Sequence, residues 1–233
     1  IITFLFFKAR KVVLEFRKKK NQSVDFYDAI KYSCLEIFPV KIAHVVATEV
    51  AMFYYLLFNW KKKVLSKNEY SYYKESGLIS LLFGIVLVLI IETVALHVFL
   101  IKWNAIVAWF LTALSIYTTL QILSLIRSLN KRPIIFDKEK RKLLLRYGFF
   151  AEANISLDEI LKVEVFSKDL PEDKSIVRFS PLGELEGHNI IIHLKNENSF
   201  RSLYGFSKKY TSIAFTVDKK QELKKVLEET LSQ

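Results

Sequence analysis

Four side chains stand where ionisable groups are expensive. Glu92 and His97 lie in IIETVALHVF (90–99), and His44 and Glu49 lie in IAHVVATEVAMFYYLLFNW (42–60), both otherwise strongly apolar. An acid near the middle of a membrane helix costs roughly 2.5–3.5 kcal/mol, so each group needs a partner, a proton or a function. Within each pair the residues are five apart, about 140° round a helix, so neither pair alone can chelate one ion. Across helices, Glu49 could meet His97 and His44 could meet Glu92. That would make a carboxylate/imidazole set for iron, zinc or manganese, as in a metal-dependent membrane oxidoreductase or lipid-modifying enzyme, or a proton relay. The other reading is structural. Folding the segment back on the next apolar run brings Glu92 level with Ser115, and Thr112, Ser115 and Thr119 form a hydroxyl stripe. A protonated Glu92 bonded to Ser115 is then sufficient, with Gly84 and Val88 extending the same face and allowing close helix approach.

A second chemistry-bearing set is cationic. DKEKRK (137–142) supplies Lys138, Lys140, Arg141 and Lys142, with Lys131 and Arg132 just before it. Near an anionic leaflet each cation contributes about 1 kcal/mol, which suits lipid headgroups; the other reading is solvated charge that retains this side of the chain in the cytoplasm. His188 and His193 are five apart on one expected strand and so point to opposite faces. The chain shows no phosphate-binding Gly loop, nucleophile elbow, HExxH or paired CxxC. The single Cys34 excludes a disulfide framework and Cys-rich zinc sites.

These residues need elements to position them. Residues 78–101 form an apolar run of 24 with one formal charge, and residues 105–126 a run of 22 with none. Each can cross a core of roughly 30 Å at 1.5 Å per residue. Only Lys102, Trp103 and Asn104 separate them, so they form an antiparallel transmembrane hairpin with Trp103 and Trp109 as interfacial anchors. Residues 42–60 carry basic flanks on both sides, which favours an interfacial or re-entrant helix packed on the hairpin over a span. The opening IITFLFF reads as the inner end of a membrane helix that starts earlier. Residues 23–38 read as an amphipathic helix capped by Ser23, with Phe26, Ile30, Cys34 and Ile37 on its apolar face. Asp28, Lys31 and Glu36 face elsewhere, which places the helix on a membrane surface.

After Arg127 the period changes. Residues 133–137, 141–148, 149–155, 160–168, 188–195, 199–206 and 211–217 read as seven strands, with KNEN among the turns. A helix at 218–231 follows, capped by Asp218, with Leu223, Val226, Leu227 and Leu231 on one face. Residues 169–187 form a long polar loop, either a partner-binding element or mobile. The expected division is 1–76, a basic segment of amphipathic and interfacial helices; 77–127, the hairpin; and 128–233, a small, partly open β-barrel closed by a helix. The fold class is an α + β membrane protein.

The formal net charge is +11, and its location decides what it means. Residues 1–76 hold 14 Lys/Arg against 7 Asp/Glu and residues 127–142 hold 7 against 2, while residues 143–233 hold 13 against 14. The excess flanks the apolar runs, the pattern of basic loops retained in the cytoplasm. It argues against a nucleic-acid partner.

RPIIFD, LLLRYGFF and ISLDEILKVEV after a hairpin resemble bacterial membrane proteins that carry a pleckstrin-homology-like domain. ATEVAMFYYLLFNWKKK, YYKESG, ETVALH and TVDKKQEL are similar to a group of uncharacterised bacterial integral membrane proteins, some labelled carotene monooxygenase. The resemblance implies a multi-pass inner-membrane protein with a cytoplasmic, pleckstrin-homology-like C-terminal domain. The expected function is a membrane-anchored binding or scaffold protein without a cofactor, engaging lipid headgroups or a membrane or cytoplasmic protein partner. The metal-dependent enzyme, using iron or zinc at His44, Glu49, Glu92 and His97, is the alternative.

Overall fold

The computed structural model describes residues 2–21, 23–58, 61, 63–168, 170 and 175–231, with residues 2–6 described as backbone only. The expectation for the opening IITFLFF rests mostly on side chains outside this set. Six helices and eight strands form a mixed α/β architecture: α1 (Ile2–Lys19), α2 (Phe26–Leu35), α3 (Val40–Leu57), β1 (Glu69–Tyr70), α4 (Leu78–Ile101), α5 (Ala105–Lys131), β2 (Ile134–Asp137), β3 (Lys142–Tyr147), β4 (Ala151–Ser156), β5 (Ile160–Val165), β6 (Ile176–Arg178), β7 (Ile190–Arg201), β8 (Ser207–Phe215) and α6 (Lys220–Leu231).

The hairpin follows its apolar runs closely. Helix α4 has the expected bounds, and α5 begins where Asn104 caps it, its side chain accepting from the Ile106 and Val107 amides at 2.9 and 3.2 Å. Helix α5 continues five residues past its apolar run, into the basic segment. Among the described residues, three helices, α3, α4 and α5, are long and apolar enough to cross a membrane. The outer half of the hairpin presents its apolar side chains outward, with Phe99 73% and Trp103 76% exposed, the surface expected of a chain solvated by lipid.

Helix α3 is one unbroken 18-residue helix that packs against α5. Glu49, Met52 and Leu56 meet Tyr117, Ser124 and Arg127 in that order, so the two helices run the same way. It also packs against α2, where Phe26 stacks on Tyr54 at 3.5 Å between ring centroids.

The strands form one mostly antiparallel, open sheet in the order β1-β2-β3-β4-β7-β8-β6, with β5 on the other side of β7; only β6, beside β8, is parallel. Several expected boundaries move. KNEN is no turn: β7 runs through it as a 12-residue strand with a register shift between His193 and Asn198. The segment is polar because it is largely exposed. The second half of the expected strand 199–206 is a 3-10 turn at Leu203–Gly205. Within 169–187, β6 and the buried Val177 and Phe179 are anchored, and buried Glu186 accepts from Tyr147 and Ser180 at 2.6 and 2.5 Å. Burial pushes the Glu186 carboxyl up. Residues 169 and 171–174 lie outside the described residues.

The N-terminal segment is part of this core. Strand β1, from the α3–α4 linker, pairs with β2, and the carboxylate of Asp218 binds the Lys74 and Glu75 amides at 3.0–3.3 Å. One apolar cluster extends from Val12 to Leu227. Leu223 and Leu227 of α6 are wholly buried in it, as their spacing requires.

Helix α2 departs most from expectation. Its cap is Asp25, which accepts from the Asp28 amide at 2.9 Å, and both its faces are buried. Asp28 and Lys31 face the sheet instead of a membrane surface. Arg132, 0% exposed, donates to Asp25 Oδ2 at 2.7 Å, Asp28 Oδ1 at 3.0 Å and the Gly148 carbonyl at 2.8 Å. Arg146 donates to Asp28 Oδ2 at 2.8 Å, and Lys31 to Glu152 at 2.6 and 2.8 Å. Gly148 has φ +50°, and a Cβ there would collide with Ser128, so this approach requires glycine.

Burial alone would raise the Asp25 and Glu152 pKa values. For Asp25 the guanidiniums of Arg132 and Arg146 outweigh it, and for Glu152 Lys31 and Arg132 do, holding each at about 2. Carboxylates depressed in the folded state stabilise it fully above their ordinary pKa values, and that stability is lost as pH falls toward 2. The melting temperature of detergent-solubilised protein should therefore fall as pH drops below about 4.5. Arg132→Met, which strands buried carboxylates, should cost about 3–5 kcal/mol at neutral pH.

Candidate functional site

The ion network floors a groove. A cavity of about 620 Å³ opens between α2 and the sheet, with Lys19, Lys31, Arg146 and Arg201 against Asp28 and Glu152 in its lining. Ser23, Asn154, Ser199 and Ser207 add hydroxyls and an amide. The groove forms because β4 and β7 meet at one pair, Glu152 with Arg201, and splay beyond it. The backbone of residues 153–156 is thus paired on the β3 side only, and Asn198 reaches the Asn154 carbonyl at 3.3 Å. Lys31 directs its ammonium to Asp28 and Glu152. Arg201 donates to Glu152 through Nη1 at 3.1 Å and is 41% exposed at its side chain, leaving it the most accessible cation of the floor. Three carboxylates, Asp25, Asp28 and Glu152, face four cations, Lys31, Arg132, Arg146 and Arg201. The site has one positive charge in excess and can receive an anion.

A second polar cluster docks the sheet on the helices. Tyr117 and Tyr204 each donate to Glu49 Oε1, at 2.6 and 2.9 Å, and each accepts from Gln121 Nε2, at 2.9 and 2.6 Å. Each phenol both donates and accepts, so the two hydroxyls bridge the Glu49 carboxylate and the Gln121 amide. Tyr204 pays for this in backbone strain, at φ +58°. Its neighbour Gly205, at φ +84°, lies flat on buried His44; a Cβ there would come within 2.6 Å of the imidazole.

The four intramembrane candidates are therefore apart. His44 packs on Gly205, Glu49 bonds the two tyrosines, and His97 Nδ1 meets Thr112 Oγ1 at 2.7 Å. Thr112 already donates to the Ala108 carbonyl at 2.8 Å, so the imidazole is the donor. Glu92 is exposed on the outer face of α4, and no hydrogen bond to Ser115 forms. Gly84 on that face meets nothing within 4 Å of an added Cβ. The polar contact between the hairpin helices is His97 with Thr112, close to the expected level but on another face. Among the described residues, no group of three or more His, Cys, Asp or Glu could hold a metal. His188 and His193 go separate ways, to Arg178 at 3.1 Å and Ser212 at 2.8 Å.

The cationic candidates divide as well. Arg132 is in the buried network and unavailable to a headgroup. Arg141, at φ +49°, is held by Asp158 at 3.0 Å, and Lys140 lies 3.7 Å from Asp137. Lys138 and Lys142 are exposed. Strand β2 carries this turn roughly 13 Å from the end of α5. Lys131 stays at the helix end, donating to the Lys61 carbonyl.

The groove residues Asp28, Lys31, Arg146, Glu152 and Arg201 were missed as a site. Asp25, Asp28 and Lys31 recur at intervals of three, a charged stripe with the same period as the apolar one and the signal that could have marked a second buried face.

Two outcomes follow. Glu92→Leu should raise the melting temperature in detergent, since it removes an unpartnered acid from an apolar surface. Gly205→Ala should lower it, and the added His44→Ala should recover only part of the loss, because the positive φ remains. Against known proteins, no family model, no curated protein and no solved structure matches the chain.

Proposed function

We propose that the protein is a membrane-anchored binding protein whose β-domain, on the cytoplasmic side, receives an extended, anionic segment of a protein partner in the groove between α2 and the sheet. The observation that carries this reading is the groove itself: a cavity of about 620 Å³ whose floor holds a surplus cation beside the unpaired edge of β4. A surplus guanidinium selects a carboxylate or phosphate. Open backbone donors and acceptors select another polypeptide over a small ion. The apolar hairpin supplies the anchor, and the basic excess in residues 1–76 and 127–142 favours the cytoplasmic side. A sheet followed by the packed helix α6 is compatible with the pleckstrin-homology-like reading of this domain, in a bacterial inner membrane. Among the described residues no grouping favours the metal-dependent alternative, since His44, Glu49 and His97 each have a separate neighbour.

The test uses a photo-crosslinking amino acid at Ser199, in the groove, and at exposed Lys219 as a control, in intact cells. A discrete protein adduct from position 199, absent from 219 and abolished by Arg201→Gln, is the expected result. A lipid adduct, or a protein adduct indifferent to Arg201→Gln, would overturn the reading.

A further inference from the structure

A second cavity lies at the feet of the hairpin. It measures about 660 Å³ and is walled by the start of α4, the end of α5 and the linker that joins α3 to α4. Its lining holds Lys61, Lys63, Lys74, Arg127 and Lys131, and no carboxylate. Glu69, just outside, binds Lys63 at 2.5 Å, and Asn130 fixes the wall by accepting from the Lys63 amide at 2.7 Å and donating to Tyr73 at 2.5 Å. Lys61 and Lys74 are exposed, and neither ammonium has a bonding partner among the described residues. The cleft is thus a built concavity with a strong excess of positive charge. Ile79 and Ile126 supply an apolar side to it.

Its position on the hairpin identifies the occupant. The first turn of α4 and the last residues of α5 wall the cleft, so it lies at the end of the hairpin away from Trp103. There the apolar runs give way to the basic segments, the place where lysines meet the phosphates of an anionic leaflet. The N-terminus of α4 opens on the same place and adds its positive partial charge.

We infer that this cleft holds the phosphate of an anionic phospholipid, with the acyl chains lying on the exposed apolar surface of α4. A free phosphate would satisfy the cations but leave Ile79 and Ile126 unmatched. The headgroup site is therefore at the hairpin feet.

The experiment measures binding of fluorescent phosphatidylglycerol to the full chain in mild detergent, with phosphatidylcholine and inorganic phosphate as competitors. Lys61→Glu with Lys74→Glu is compared with Lys138→Glu with Lys142→Glu, which changes net charge equally. The expected result is competition by neither compound and a loss of affinity of at least about tenfold for the first pair only. Displacement by phosphate would make this an ion site. Displacement by phosphatidylcholine would remove the role of charge, and equal loss in both double variants would reduce the effect to net charge. Each of these outcomes overturns the proposal. All four lysines are exposed, so the variants test binding rather than folding, and the groove of the β-domain is untouched by them.

Discussion

The structure depends on burying a guanidinium at the point where a membrane helix becomes a β-domain. Arg132 follows the last residue of α5 and is wholly enclosed. A bare charge there would be prohibitive, so its neighbours must be carboxylates held in fixed geometry. Asp25 and Asp28 come from α2 and Glu152 from β4, and their surplus negative charge in turn requires Lys31 and Arg146. One residue thus dictates that the N-terminal helix, the end of the hairpin and the first strands meet at one place. The groove follows from the same requirement, since α2 stands against the sheet on polar contacts that do not fill the space between them.

The docking cluster around Glu49 works differently. It adds no net cation, and it holds the sheet to α3 and α5 through two phenols and an amide. With the buried network at one end and this cluster at the other, the β-domain is gripped at two separated points. Rotation about the α5–β2 junction would break at least one of them. The groove and the hairpin accordingly keep a set relation to each other.

Much of this was legible in the residues. The ends of α4, the Asn104 turn and the α6 face follow from runs of apolar residues and from caps, which are local properties. What was hidden is relational. In a helix as uniformly apolar as α4, no periodicity says which face meets α5, so Glu92 was assigned inward when His97 and Thr93 are the inner polar residues. Helix α2 has a charged stripe that looks solvated until a partner of opposite charge is known to cover it. Asp218 sits where a helix cap belongs, yet its carboxylate serves a loop 143 residues earlier. KNEN has turn composition because it is exposed, and exposure does not distinguish a strand crossing the surface from a turn.

The buried network also carries a kinetic consequence. Asp25 and Asp28 are separated from Arg132 by 107 and 104 residues, and Lys31 from Glu152 by 121. At translation speeds of about 5–20 residues per second, α2 leaves the ribosome roughly 5–25 s before its partners exist. During that interval its acids and Lys31 have only water and each other, and its apolar face has no sheet to cover it. The partners are made only after both hairpin helices have been synthesised. Closure of the α2 contacts is therefore a late event, ordered after synthesis of the hairpin helices by the position of the residues along the chain. A chain that ended before Arg132 would leave α2 open, with exposed apolar surface of the kind chaperones and proteases recognise.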